Sequence, residues 1–169
     1  MLFRSGILII SGANSPSDLA SVPIRIVLLD EVDRFESSAG TEGNPAELAI
    51  KRTTTYGNRK KIGWFSTPTI EGASQIWKKW EISDQRRRLV PCPHCGTEQE
   101  LEWERLRWTP GAPESAWYEC ERGCVIEEAS KLTMLPAGRW EPTRPESRIP
   151  GFRLSALHAP LGWDSWPTL

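Results

Sequence analysis

The chain has 169 residues, which is the usual size of one domain or of one domain with a small appendage. Lys and Arg total 21 and Asp and Glu total 22, so the net charge of −1 excludes a polybasic protein and by itself predicts no nucleic-acid partner. No apolar run approaches the roughly 18 residues that a membrane-spanning helix needs, and the run at residues 7–10 is too short for a secretory signal. We therefore expect a cytoplasmic protein.

The first half of the chain alternates short apolar runs with helix-start signals such as Ser15-Pro16 and Asn44-Pro45. This alternation favours an α/β fold with a parallel sheet. The run at residues 24–29 is almost continuously apolar, which predicts a strand buried on both faces. Other strands are predicted at residues 8–10 and 62–65, and helices from residue 15, over 44–56 and over 73–83.

The apolar run ends at Asp30 and Glu31, and this pattern has the form of a Walker B motif. Asp30 at the carboxyl end of a buried strand can hold Mg²⁺, and Glu31 can act as the general base that polarises an attacking water. Ser66 and Thr67 follow the next predicted strand, where hydroxyls can sense a γ-phosphate. A phosphate-binding loop of the form G-x4-G-K-[ST] is absent from the sequence, so a buried strand that meets solvent at two charges stays the alternative.

Four cysteines form two close pairs, Cys92 with Cys95 and Cys120 with Cys124. This spacing is close to the pattern of a structural zinc site, in which two turns each supply two thiolates. Four cysteines close a tetrahedral site and leave no position for water, so the zinc is expected to stabilise the fold. Disulfides and unrelated free thiols are the alternatives, and a reducing compartment disfavours the disulfides.

Basic residues are concentrated in two stretches, although the net charge is near neutral. A surface of this kind can follow a phosphate backbone. Solvated faces without a ligand are the alternative. The candidate nucleic-acid contacts are Arg59, Lys60 and Lys61 in the first stretch and Arg86, Arg87 and Arg88 in the second.

Taken together, these motifs resemble the large terminase subunit of tailed bacteriophages, in its lambda-like branch. The resemblance covers nearly the whole chain, and the order of the motifs is more specific than any one of them. It rests on Ser15-Pro16, Leu28-Leu29-Asp30-Glu31-Val32-Asp33, Arg52-Thr53-Thr54-Thr55, Ser66-Thr67-Pro68-Thr69, Asp84-Gln85-Arg86-Arg87, Val90-Pro91-Cys92-Pro93-His94-Cys95-Gly96, Cys120, Cys124, Leu154-Ser155-Ala156-Leu157, Pro160 and Ser165-Trp166.

The resemblance implies an ATP-driven motor that moves viral double-stranded DNA into a procapsid in the host cytoplasm. Asp30 would then be the Mg²⁺ ligand and Glu31 the catalytic carboxylate, and residues 66–68 would couple hydrolysis to DNA movement. The implied partners are the small terminase subunit, the portal of the procapsid and further copies of the chain. The family's phosphate-binding loop would precede Met1 and its nuclease domain would follow Leu169, so we expect negligible ATP hydrolysis by this chain alone.

The expected organisation is a partial P-loop NTPase-like sheet with an inserted zinc-ribbon module. Residues 1–89 would form the partial ATPase core, residues 90–128 the zinc module and residues 129–169 a segment that returns toward the core. Within that segment, a strand or another extended piece is predicted at 152–157, and Ser165 is predicted to cap a helix. A zinc-ribbon protein that binds DNA or a partner without catalysis is the alternative function, and an inactive gene remnant is another.

Overall fold

The computed structural model describes residues 2–3, 6–15, 22–70 and 72–169, and the chain divides into two compact units. The first unit spans residues 1–79 and the second residues 80–169. Each unit has its own hydrophobic core. The α/β class is confirmed, but the sheets are mixed, and three of the four sheets among the described residues are antiparallel. The division of the chain at residues 89 and 128 stays a prediction.

The first unit is built around a parallel pair of strands, β3 (Ile26–Leu29) and β4 (Lys61–Trp64). Before them, β1 (Leu2–Phe3) pairs with β2 (Gly6–Ile7) in a short antiparallel ladder. Helix α1 (Pro45–Lys51) connects the parallel strands and starts where the Asn44 side chain accepts hydrogen bonds from the amides of Ala46 and Glu47. Helix α2 (Gln75–Glu81) follows β4.

The core of the first unit covers only one face of the β3–β4 pair. Val27 and Leu29 point toward α1 and are buried, whereas Ile26 and Leu28 on the opposite face are 51% and 65% exposed. The prediction that both faces of this strand are buried is therefore wrong for the described residues. Among those residues the parallel sheet has two strands, so the larger P-loop-like sheet stays a proposal.

The predicted helices are longer than the observed ones. Helix α1 ends at Lys51, because a separate 3-10 segment, Thr54–Arg59, takes the place of its last predicted turn. Gly57 lies inside that segment with a φ of 51°, a left-handed conformation that interrupts any continuous helix. Helix α2 is likewise shorter than the predicted span of 73–83.

The second unit contains two three-stranded antiparallel sheets. Their strands are β5 (Arg86–Pro91), β6 (Glu98–Glu100), β7 (Leu106–Thr109), β8 (Ala112–Glu119), β9 (Val125–Glu127) and β10 (Arg139–Pro142). In the first sheet β5 lies between β10 and β6, and in the second β8 lies between β7 and β9. Helix α3 (Lys131–Ala137) follows β9. The core of the unit includes Val90, Tyr118, Ile126 and Trp166.

The last part of the chain belongs to this second unit. The Trp166 ring lies 5.9 Å from the Tyr118 ring, and the Trp166 indole N–H donates to the Leu157 carbonyl. The ammonium group of Lys131 is buried, is paired with Glu128 at 2.8 Å and lies 4.9 Å from the Trp166 ring. These contacts anchor the terminal segment to the core that also holds the first cysteine of each pair.

The strand predicted at residues 8–10 is absent, and residues 152–157, predicted as a strand or another extended piece, do not form a regular strand. Residues 8–10 lie outside any strand, and their apolar side chains are exposed, because the short ladder of this region ends at Ile7. Residues 152–157 form one bridge, between Phe152 and Arg86, and then a 3-10 turn, Ala156–His158. Ser165 does cap a helical turn, the 3-10 segment Trp166–Thr168.

The helix predicted from residue 15 falls mostly on residues 16–21, which lie outside the described part of the chain. Within the described part, no helix combines the length and apolar character needed to cross a membrane.

Candidate functional site

The carboxyl ends of β3 and β4 meet at one edge of the sheet. The strands are in register with Leu29 opposite Trp64, and the Phe65 amide donates to the Leu29 carbonyl over 2.8 Å. Parallel strands place the residues that follow them on the same side, so Asp30 and Ser66 leave the sheet at a common edge. We call residues 30–33 and 66–69 the strand-end site.

Asp33 connects the two halves of the strand-end site, a role that the sequence did not indicate. Its amide donates to the Ser66 hydroxyl over 3.2 Å. Its carboxylate accepts hydrogen bonds from the amide and hydroxyl of Thr69, at 3.0 and 3.2 Å, and from the Ile76 amide at 2.8 Å. The Ile76 amide belongs to the first turn of α2, whose free N–H groups favour a carboxylate. Asp33 therefore fixes the loop after β4 against the turn after β3.

The ionised form of Asp33 is the one that these contacts favour. Desolvation raises the pKa of Asp33, but hydrogen bonds from Ser74, Ile76 and Thr69 outweigh it and hold the pKa below its ordinary value of 3.8. At neutral pH the carboxylate is therefore charged and engaged in structure. It is not a free ligand for a cation.

Asp30 and Glu31 present their carboxylates to solvent. Among the described residues the Asp30 carboxylate has no hydrogen-bond or ion-pair partner, whereas Glu31 pairs with Arg34 at 3.0 Å. Glu31 has a φ of 55°, a left-handed conformation that is uncommon for any residue other than glycine. That conformation turns the chain sharply at the strand end, so that the next two residues run back toward Ser66.

The four cysteines of the second unit come together as the spacing predicts. Their sulfur atoms all lie within 4.8 Å of one another, and the Sγ atoms of Cys95 and Cys120 are 3.8 Å apart. Tetrahedral zinc with bonds of about 2.3 Å would hold its sulfur ligands about 3.8 Å apart. The thiols are unpaired by disulfides, and the donor set and its size fit a zinc ion. His94 is exposed and is not part of the cluster.

Two tight turns hold the cysteines in place. In the first turn, between β5 and β6, the Gly96 amide donates to the Cys92 carbonyl over 2.9 Å. In the second, between β8 and β9, the Gly123 amide donates to the Cys120 carbonyl over 2.8 Å. Gly96 and Gly123 have φ values of 72° and 79°, a conformation that glycine adopts without steric cost.

Backbone amides also point at one of the sulfur atoms. The amides of Arg122 and Cys124 donate to the Sγ of Cys120 over 3.2 and 3.3 Å. Hydrogen bonds of this kind stabilise a thiolate and orient a metal ligand.

The pKa values of Cys95 and Cys124 are shifted in opposite directions. Hydrogen bonding with the Thr97 side chain and backbone lowers the pKa of Cys95 to about 6. Hydrogen bonding to Cys120 and to Cys95 raises the pKa of Cys124 to about 12. Without a cation, negative charge in such a cluster is confined to few sulfur atoms. A divalent cation would let all four thiols ionise, because a coordinated thiol is deprotonated outright.

Gln99 supports the second cysteine turn and was not identified from the sequence. It is buried on β6, and its side-chain oxygen accepts a hydrogen bond from the Glu121 amide over 2.9 Å. This contact links the strand beside the first turn to the tip of the second. The sequence around Gln99 does not indicate this role, because the hydrogen-bond partner lies 22 residues away.

The two basic stretches differ in how their charges are used. Arg59, Lys60 and Lys61 are exposed, and their side chains form no ion pair among the described residues. In the second stretch, Arg86 pairs with Asp84 at 2.8 Å and Arg87 with Glu100 at 2.7 Å. Arg88 donates to the Leu135 carbonyl and lies 5.4 Å from the Trp140 ring.

Comparisons with known proteins indicate one family. The family described as the phage terminase large subunit gpA, ATPase domain, matches residues 2–140. The chain is 40% identical over 125 residues to the terminase large subunit of Enterobacteria phage P21 and 33% identical over 125 residues to that of Escherichia phage lambda. Each alignment covers 69% of this chain and 19% of the relative, so the chain spans about a fifth of the length of these relatives. No solved structure matches.

Proposed function

The chain belongs to the phage terminase large subunit gpA ATPase-domain family. We therefore propose that it forms the part of an ATP-driven DNA-packaging motor that contains the strand-end site and a zinc-binding cysteine cluster. In this proposal Asp30 binds the Mg²⁺ of a Mg²⁺–ATP complex, and Glu31 orients and deprotonates the attacking water. Ser66 and Thr67 lie across the same edge and respond to the terminal phosphate. The phosphate-binding loop would come from sequence outside this chain.

One observation supports the proposal most directly. The parallel register of β3 and β4 brings the acidic pair and the Ser66-Thr67 hydroxyls to a common sheet edge, where ligands bind in open α/β sheets. The Asp33–Ser66 hydrogen bond gives the two halves a direct mechanical link. A change in the contacts of one half would therefore be transmitted to the loop that leads into α2.

Divalent cation binding at Asp30 can be tested with Mn²⁺ as a paramagnetic probe in the presence of ATP. We expect selective broadening of backbone NMR signals from residues 28–33 and 64–69, because relaxation enhancement falls steeply with distance from the ion. Asp30→Asn should abolish this broadening, whereas Asp164→Asn, an exposed acid in the second unit, should leave it unchanged. Broadening elsewhere with none at these residues would contradict the assignment.

We also propose that the four cysteines bind one structural zinc ion as two turns of a zinc-ribbon-like module. The 3.8 Å separation of two sulfur atoms and the amide donors to Cys120 support this. Four thiolates leave no open coordination position, so the ion would stabilise the second unit and take no part in hydrolysis.

For DNA we propose that Arg59, Lys60 and Lys61 make the main phosphate contacts. Their charges are exposed and have no ion-pair partner within the described part of the chain, so binding a phosphate would displace no partner seen there. Arg86, Arg87 and Arg88 would contribute less, because their guanidinium groups are already engaged within the second unit.

Double-stranded DNA binding should then weaken with salt, since each phosphate contact releases a counterion. Reversing the charges of Arg59, Lys60 and Lys61 should reduce the affinity and lower the salt slope by about 2 to 3. The matched triple reversal at Arg86, Arg87 and Arg88 should have a smaller effect on binding in variants that retain zinc. The opposite ranking would move the DNA surface to the second unit.

The partners of the complete motor are part of the same proposal. We propose that the small terminase subunit, the portal of the procapsid and further copies of the large subunit act together with this chain.

A further inference from the structure

The first unit has a groove between its two helices. The groove has a volume of about 310 Å³ and is lined by Ile50 and Trp64, with Glu47, Lys51 and Lys79 around them. Lys51 lies on α1 and Lys79 on α2, so the two ammonium groups come from opposite walls. Neither lysine forms an ion pair among the described residues, and Lys79 lies 4.5 Å from the Trp64 ring. The groove thus combines an apolar floor with a mainly positive rim.

The second unit exposes a turn with the complementary character. Trp103 opens the 3-10 segment Trp103–Arg105 and is 48% exposed, which is high for an indole. Glu102 and Glu104 flank it and are also exposed. Glu104 has no side-chain partner among the described residues, and Glu102 has only a long contact of 3.9 Å to Arg105. The turn presents an apolar anchor between two negative charges.

We infer that this turn of one copy inserts into the groove of a second copy. Trp103 would pack against Ile50 and Trp64, and its two flanking glutamates would pair with Lys51 and Lys79. A pocket of this size accommodates a large aromatic side chain. Aromatic anchors surrounded by complementary charges are typical of protein interfaces.

The two surfaces lie on different parts of the chain, so two copies can exchange the contact reciprocally in a two-fold dimer or repeat it head-to-tail. Repetition of such a contact closes into a ring if the rotation between copies allows it and otherwise forms an open filament. Neither surface includes a residue of the strand-end site, so the proposed contact does not depend on nucleotide binding or hydrolysis.

Sedimentation velocity over a concentration series of the full chain tests the contact. Trp103→Ala should weaken self-association about thirtyfold, which is typical of a buried interface anchor. The matched control is Trp108→Ala, because Trp108 is 47% exposed but is flanked by Arg107 and Thr109. Higher salt should also weaken the association, since it screens the paired charges.

Charge reversal gives a sharper test. The groove variant Lys51→Glu with Lys79→Glu and the turn variant Glu102→Lys with Glu104→Lys should each be monomeric. A mixture of the two should associate, because every groove then meets a turn of opposite charge. Glu114→Lys with Glu127→Lys, two exposed acids outside the turn, should associate like the unchanged chain.

Three outcomes would overturn the inference. They are a chain that is monomeric at every concentration, reversal variants that associate as strongly as the unchanged chain, and a mixture that stays monomeric. Zinc content and circular dichroism of each variant separate loss of the contact from loss of the fold.

Discussion

At the scale of single residues, Asp33 stabilises the strand-end site, whereas the neighbouring Asp30 and Glu31 are exposed to solvent. Its carboxylate accepts three hydrogen bonds from Thr69 and Ile76 and so is not available to a cation. The Asp30 carboxylate, three positions earlier, has no such partner among the described residues. Similar residues in one short segment therefore have different roles, and only the neighbours that each one contacts distinguish them.

Replacement of Asp33 with Asn should lower the free energy of unfolding by about 1 kcal/mol, because hydrogen bonds to a charged acceptor are lost and solvent screening limits their value. The folded-state pKa of Asp33 lies below 3.8, so its contribution is complete above that pH and is lost as the pH falls through the lower folded value. Urea unfolding between about pH 2 and pH 7 measures the difference between the two proteins.

The Asp33 prediction has a specific pH signature. The advantage of the unchanged protein over Asp33→Asn should be constant near neutral pH and shrink toward zero in acid. An advantage that grows on acidification would show that Asp33 is not held in its charged form. Asp164→Asn is the matched control, since Asp164 is exposed and lies in the other unit.

At the scale of secondary-structure elements, the second unit depends on close backbone approach between residues 149–151 and the segment before β5. The Asp84 amide donates to the Ile149 carbonyl over 2.8 Å and the Arg86 amide to the Gly151 carbonyl over 2.9 Å. The Asp84 carboxylate accepts from the Gly151 amide over 2.9 Å. These bonds hold residues 149–151 in place, although the segment forms a single β-bridge, between Phe152 and Arg86, and no longer strand.

Gly151→Ala should destabilise the second unit by about 1–3 kcal/mol, because a Cβ at this position would lie 2.0 Å from the Ser83 hydroxyl oxygen and 2.5 Å from its Cβ. Thermal unfolding compared with Gly12→Ala measures the effect, since a Cβ at Gly12 meets nothing within 4 Å. Equal melting temperatures for the two variants would argue against the close packing of this segment.

At the scale of the whole molecule, two small cores each stabilise one unit. Units of this size bury limited apolar surface, so they commonly need a metal or a disulfide for stability. In the second unit the first cysteine of each pair is part of the core, so a metal bound there would join the two antiparallel sheets at their turns.

Removal of zinc with a chelator should therefore destabilise residues 80–169 most strongly. Hydrogen exchange followed by mass spectrometry should show the largest loss of protection in peptides that contain β5, β6, β8 and β9, with smaller changes in residues 22–70. One zinc per chain is expected by mass spectrometry. His94→Ala is the control and should retain the metal, because His94 is exposed and outside the cysteine cluster. A metal-free, fully protected second unit would contradict the zinc proposal.

Local sequence signals were enough to predict part of this protein. The cysteine spacing predicts the four-sulfur cluster, and the apolar runs that end at Asp30 and Phe65 predict the parallel β3–β4 pair and its shared edge. The α/β class follows from the same alternation. These features depend on residues close together in sequence and on the fixed geometry of strands and turns.

The tertiary structure decided the rest, because the remaining features depend on contacts between distant residues. One face of β3 is exposed. Asp33 and Gln99 support their sites through hydrogen bonds, and Arg86, Arg87 and Arg88 already have partners. The segment predicted as a terminal strand or extended piece forms a bridge beside Gly151. Most of these outcomes depend on hydrogen bonds and ion pairs across 13 to 67 residues, and no local pattern encodes such partners, whereas the Arg86–Asp84 pair spans two residues.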